Sequence, residues 1–246
     1  MDRKVAIVTG AGRGIGAATA KALAARGWAV AINYLANEAA ARETAAAVEQ
    51  AGAPAIVISG DTSSEGDVSR LFEEVQSTWG RLDGLVNNAG LVGPRGRFED
   101  LTSDAMARVL AVNVTGCMLC ARAAVRRMST RHGGNGGVIV NVSSGSAHIG
   151  NPNDSILYAV TKGAVNSLTI GLSQEVAGEG IRVNTVAPGL TRTDLPPAEK
   201  LSTLGPTIPM GRVGEAEEIA AGIAWLMSDE ASYVAGANLR IAGGRI

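Results

Sequence analysis

Val5-Ala6-Ile7-Val8-Thr9-Gly10-Ala11-Gly12-Arg13-Gly14-Ile15-Gly16 sets four apolar residues in a row and then places a glycine at every second position. An unbroken apolar run is what a strand buried on both faces of a parallel sheet requires. Ile15 to Arg26 reads as helix, closed by Gly27. Strand, glycine turn and helix together form a phosphate-binding context. Bare backbone at Gly10, Gly12, Gly14 and Gly16 lets a pyrophosphate approach, and the helix N-terminus at Ile15 offers free N–H groups.

Outward from this unit the rhythm repeats. Val30–Ile32, Ala55–Ile58, Leu82–Asn87, Val138–Val142, Arg182–Val186 and Ala237–Ile241 read as strands. Helices fall over Glu38–Gln50, through Leu71 to Trp79, Ser103–Met128, Tyr158–Val176 and Glu215–Met227. This alternation predicts an α/β, Rossmann-type, doubly wound and mostly parallel seven-stranded sheet with helices on both faces. Residues 1–246 form a single domain in this reading. The long irregular stretch Pro188–Gly211, rich in proline, is expected to act as a substrate lid.

Composition narrows the function classes. Of 246 residues, 46% are hydrophobic and 18% charged, with a net charge of -1. That balance fits a globular chain, and no basic stripe points to nucleic acid. No cationic amphipathic face points to a membrane surface, and no uninterrupted apolar run reaches roughly 18 residues. With no signal-peptide pattern at the N-terminus, cytoplasmic residence is the expectation. Cys117 and Cys120 are spaced as Cys-x-x-Cys, but inside an apolar helix they read as packing residues. No metal site is expected.

The end of the second strand carries a further signal. Asn33-Tyr34-Leu35 offers no carboxylate to grip the ribose 2′-hydroxyl of NAD, whereas Arg13 places a cation in the turn. This combination favours the 2′-phosphate of NADP(H), with NAD(H) the alternative. Downstream, Tyr158 and Lys162 are an i, i+4 pair and share one helical face. A free phenol, with a pKa of about 10, is a poor base at neutral pH. An ammonium beside it favours the phenolate. The pair suggests proton transfer coupled to hydride transfer.

Taken together, the markers resemble the short-chain dehydrogenase/reductase family along the whole chain. They are the glycine turn, Asp61, Asn87-Asn88-Ala89-Gly90, Asn113, Ser144, Tyr158-x-x-x-Lys162 and Pro188-Gly189-x-x-x-Thr193. The segments Ile208–Arg212 and Ser228–Tyr233 also resemble the 3-oxoacyl-carrier-protein reductase and glucose dehydrogenase branches. The resemblance implies that Tyr158 is the general acid/base, Lys162 holds the nicotinamide ribose, Ser144 donates to the substrate oxygen and Asn113 holds a water of a proton relay. It implies that Asp61 and Thr62 contact adenine, that Asn87, Ala89 and Gly90 line the cleft near the ribose, and that Pro188, Gly189, Thr191 and Thr193 hold the carboxamide end. A homotetramer built on helices Ser103–Met128 and Tyr158–Val176 is implied too.

Duller readings stand beside these. Ser143 and Ser146 are rivals of Ser144, Asn113 could simply bond backbone, and His148 reads as a polar wall. Fourteen positions separate Ser144 from Tyr158, one more than in many acyl-reductase relatives, and the extra residue lies within Asn151–Ser155. The expected function is hydride transfer between NADP(H) and a small-molecule ketone, 3-oxoacyl group or secondary alcohol. A sugar or polyol dehydrogenase is the alternative, and a non-catalytic NADP sensor the reading from another class.

Overall fold

In the computed structural model, residues 3–245 are described. Strands β1 (Val5–Val8), β2 (Ala29–Tyr34) and β3 (Ala55–Ser59) alternate with helices α1 (Gly14–Ala24), α2 (Glu38–Gln50) and α3 (Glu65–Trp79). Then come β4 (Gly84–Asn87), α4 (Ser103–Leu110), α5 (Cys117–Met128), β5 (Gly137–Val142), the single turn α6 (Ser146–Ile149) and α7 (Ile156–Val176). Strand β6 (Ile181–Pro188), the two-residue β7 (Thr191–Arg192), α8 (Ala198–Leu204), two-residue β8 (Gly214–Glu215), α9 (Ala216–Leu226) and β9 (Asn238–Ile241) complete the chain.

Seven strands form one parallel sheet in the order β3-β2-β1-β4-β5-β6-β9. Every residue of β1 is fully buried, as its unbroken apolar run predicts. One face of the sheet packs against α1, α2 and α9 through Leu23, Val48, Ile219 and Ile223. The other packs against α3, α5 and α7 through Leu71, Phe72, Met128 and Val176. Local signals set the helix starts: Asn37 caps α2, Ser64 caps α3 and Thr102 caps α4, each accepting a backbone N–H three residues on.

One expectation needs correction, and another holds with an added detail. The stretch Pro188–Gly211 is not irregular: it holds β7, α8 and a 3-10 turn at Gly205–Thr207, with prolines at the boundaries of α8 and of that turn. The helix over Ser103–Met128 is continuous but contains a π-helical turn at Ala111–Gly116. That turn carries Asn113, and such insertions collect at functional sites. By length and composition, Ser103–Met128 could cross a membrane. In the fold, Val109, Cys120, Ala124 and Met128 face the core, while Leu110 and Met118 are exposed.

Candidate active site

The strand order reverses between β1 and β4, so a crevice opens beyond their carboxyl ends. The glycine turn leaves β1 there, and Asn88-Ala89-Gly90 leaves β4. Two clefts of about 480 and 450 Å3 meet at Ile15, Asn88, Gly90 and Thr193, which line both.

The first cleft collects much of the expected nucleotide set. Gly10, Gly12, Arg13, Gly14, Ile15, Asn33, Tyr34, Asp61, Thr62, Ala89 and Gly90 line it. Gly10 and Gly14 adopt φ of 62° and 55°, a region that L side chains avoid. Gly16 plays a different part: a Cβ there would stand 2.4 Å from the Gly10 carbonyl, so its bareness lets α1 pack on the turn. The Asn33 amide ties the site together, accepting from Gly10 N and donating to the Ile58 and Gly60 carbonyls.

Charges in this cleft are paired. Arg13 reaches Asp194 at 3.5 Å with both side chains about 70% exposed. Asp61 accepts from Ser63 and from Arg108. Burial pushes the Asp61 carboxyl up, but those hydrogen bonds outweigh it and hold it below the usual carboxylate range. Arg108 lines the cleft and went unnoticed in the sequence. It stands on α4, well removed in the chain from any nucleotide motif, and only the fold brings it to Asp61.

Asn87 is placed differently from its expected role. It is buried in the sheet and lines neither cleft, donating to Asn141 Oδ1 at 2.9 Å and to the Cys117 carbonyl at 3.2 Å. Asn88 takes the cleft position, and its amide holds the Thr9 and Gly10 carbonyls at 2.9 and 3.0 Å.

The second cleft contains the proton-transfer candidates. Ser144, Tyr158, Lys162, Pro188, Gly189, Thr191 and Thr193 all line it. Lys162, only 4% exposed, has no carboxylate partner among the described residues and donates to the Val142 carbonyl at 2.6 Å. A buried ammonium without a counter-ion is costly. Two of its three donors remain unspent, suited to the hydroxyl pair of a ribose. The bare backbone at Gly10 and Gly14, the open cleft and this under-used ammonium all fit a dinucleotide.

Asn113 Oδ1 accepts from Leu91 N, while its amide donates to the Leu91 carbonyl and to Thr161 Oγ1. Both amide protons are thereby committed within the protein. The side chain clamps the loop after β4 onto α7 and offers no free donor to a relay water. Gly90 sits against it: a Cβ there would stand 3.3 Å from Asn113 Oδ1 and 3.5 Å from Lys162 Nζ.

The three serines separate clearly. Ser143 is buried and donates to the Lys162 carbonyl. Ser144 and Ser146 both line the cleft with their hydroxyls 3.0 Å apart, Ser144 donating. Beyond them runs a polar chain that the sequence did not reveal. The Asn151 amide donates to Ser146 Oγ at 2.8 Å and Ser155 Oγ at 3.0 Å, and Ser155 donates to Asp154. Asp154 also accepts from Arg95 at 2.5 Å and from Lys200 of α8 at 2.6 Å.

Because a carboxylate only accepts, the Ser155 proton must point to Asp154. Ser155 Oγ must then accept from Asn151, which fixes the amide with its NH2 toward both serines. Ser146 therefore accepts from Asn151, and its own proton is available to Ser144 whenever a substrate oxygen draws the Ser144 proton away. Burial raises the Asp154 carboxyl, but hydrogen bonds from Lys200, Arg95 and Ser155 win and bring it to about 2.

His148 is exposed on α6 and does not line the cleft. Cys117 and Cys120 are buried free thiols. Burial pushes Cys117 up to about 12, outweighing the opposing pull of Lys162, and burial beside Cys117 pushes Cys120 higher still, so both stay protonated packing groups.

Comparison with known proteins finds the same fold among oxidoreductases. The family profile described as enoyl-(acyl carrier protein) reductase matches residues 10–245. An uncharacterized oxidoreductase of Escherichia coli K12, YgfF, is 46% identical over 98% of this chain and 99% of its own length. The cis-4-hydroxycyclohexanecarboxylate dehydrogenase of Sinomonas cyclohexanicum is 41% identical over 98% of this chain and 96% of its own. A short-chain dehydrogenase from Burkholderia cenocepacia, solved in complex with NADP, superposes with a TM-score of 0.91 at 36% identity, covering 98% of this chain and 97% of that one.

Proposed function

Because the chain belongs to the short-chain dehydrogenase/reductase family, and is an NAD(P)-dependent oxidoreductase of alcohol and carbonyl groups, we propose that it interconverts a small ketone or 3-oxoacyl group and its secondary alcohol with NADP(H). The observation that carries this reading is that Tyr158, Lys162 and Ser144 together line a cleft that meets the glycine cleft at Gly90 and Asn88. A bound nicotinamide cofactor supplies or accepts the hydride. The residues of the chain do the rest.

In the reducing direction Tyr158 gives its phenolic proton to the alkoxide oxygen, and in oxidation it takes the alcohol proton. Lys162 stabilises negative charge on the phenolate and holds the ribose hydroxyls with its two unspent donors. Ser144 directs its proton at the carbonyl oxygen, stabilising charge as it develops. Asn113 fixes the loop at Leu91 that walls the cleft.

NADP(H) is favoured over NAD(H) because no carboxylate ends β2 and because Arg13 and Arg108 bring cations to the glycine cleft. The Arg13–Asp194 contact is long and solvent-exposed, so releasing Arg13 to a 2′-phosphate costs less than about 1 kcal/mol. The apolar walls at Ile149, Pro152, Leu190, Leu195 and Leu204 suit a ketone better than a polyol. By its name, the Sinomonas relative acts on a secondary alcohol.

Leu110 and Met118 on one helical stretch and Val160 and Ile170 on α7 are 40–55% exposed. Their exposure supports a homotetramer in which copies cover them, for which light scattering on the purified protein is the test. For the reaction itself, initial rates over a panel of ketones, 3-oxoacyl thioesters and sugars with NADPH and NADH at equal concentration decide. Reduction of ketones or thioesters with NADPH preferred is expected, and preference for glucose oxidation would overturn the assignment.

A further inference from the structure

We propose that the substrate carries an anionic group, in its simplest form a carboxylate, and that Arg95, Lys200 and Arg245 receive it. This rests on the hydride-transfer role of Tyr158 and Lys162 and adds the charge class of the substrate to it.

Among the described residues, the second cleft is lined by four cations, Arg95, Lys162, Lys200 and Arg245, against a single carboxylate, Asp154. Lys162 belongs to the proton-transfer centre. The other three arrive from separate segments: the loop after β4, helix α8 and the chain after β9. None of them lines the glycine cleft, so phosphates bound there do not account for them.

Asp154 offsets only one of these charges. It binds Arg95 at 2.5 Å and Lys200 at 2.6 Å, with the three side chains about 30% exposed, so solvent screens them incompletely. Arg95 and Lys200 each spend one donor on it, leaving the rest of the guanidinium fork and two ammonium protons. Arg245 has no carboxylate partner among the described residues. Among the described lining residues, three cations against one acid leave an excess of two positive charges beside apolar walls (3 − 1 = 2).

A neutral ketone would leave that excess uncompensated, and polyol hydroxyls would accept hydrogen bonds without cancelling it. A carboxylate does both, and its geometry matches the guanidinium fork. Because Lys200 stands on α8, an anion held there also ties that helix over the cleft.

The test compares a short series of oxo acids, such as 4-oxopentanoate and 4-oxocyclohexanecarboxylate, with their methyl esters and amides as substrates with NADPH. Calorimetry on pentanoate and pentanamide, which cannot react, runs in parallel. The acid is expected to exceed ester and amide in kcat/KM by about tenfold, a ratio worth about 1.4 kcal/mol. Pentanoate should bind more tightly than pentanamide by a similar factor, and Arg245→Gln or Lys200→Gln should shrink both ratios toward one. Equal rates or equal affinities for acid and amide overturn the proposal even where ketones are reduced. Tighter binding of pentanoate, lost in the two variants, with no ketone turned over, would uphold the anion site and defeat the hydride-transfer assignment instead.

Discussion

The Lys162 ammonium stands 5.5 Å from the centroid of the Tyr158 ring, and its bond to the Val142 carbonyl holds it there. The strand end fixes the lysine, helix α7 fixes the spacing between the two side chains, and the cleft gives both access to a substrate. Charge and proton donor are thus set by backbone rather than by flexible neighbours.

Replacing Lys162 by methionine keeps the apolar stem and removes the charge. Loss of hydrogen bonds made by a charged group, about 1.5–3 kcal/mol each, predicts that NADPH affinity and kcat both fall tenfold or more. Fluorescence titration with NADPH and steady-state rates measure the two. Unchanged cofactor affinity would remove Lys162 from the ribose.

Asn151 holds φ of 48°, a conformation that asparagine tolerates and glycine adopts freely. Asn151→Gly therefore deletes the amide without straining the turn. One lost hydrogen bond to Ser146, about 1 kcal/mol, predicts a roughly fivefold fall in kcat with NADPH affinity preserved. No change in kcat would show that the chain from Asp154 does not orient Ser144.

Asp154 gives a pH-dependent signature. Its carboxyl, lowered from 3.8 to about 2 in the fold, contributes stability above the unfolded value, and that stability is lost as pH falls toward 2. Discounted for solvent screening, the contribution is on the order of 1 kcal/mol. Thermal melts of wild type and Asp154→Asn should differ by a few degrees at pH 7 and converge below pH 4. A gap that stays constant with pH would contradict the ion-pair origin.

Cofactor choice is tested at the turn. Arg13→Ala should weaken NADPH binding several-fold and NADH hardly at all, and Arg108→Ala should follow the same sense. Dissociation constants for both nucleotides decide, and equal losses would defeat recognition of the 2′-phosphate.

Much of this fold was legible because its signals are local. An apolar run such as Val5–Val8 reads as a doubly buried strand, and Gly10 to Gly16 between strand and helix reads as a turn that a phosphate approaches. Tyr158 and Lys162 were legible for the same reason, since helical spacing alone puts them on one face. Asn87 misled because adjacent asparagines at a strand end point to opposite sides, and which one enters the sheet depends on Asn141 and Cys117 across it. The π-turn at Asn113 was hidden because it depends on the clamp to Leu91 and Thr161. The chain from Ser146 to Asp154 was hidden too, resting on left-handed backbone at Asn151 and Asn153 and on partners as distant as Arg95 and Lys200.

The central claim is that the Tyr158 hydroxyl moves the proton. Tyr158→Phe removes that oxygen and nothing else, so turnover of the best ketone in the panel should fall by a factor of about 1,000 or more, while the NADPH dissociation constant changes less than about threefold. Turnover within tenfold of wild type, with NADPH still bound, would contradict the account.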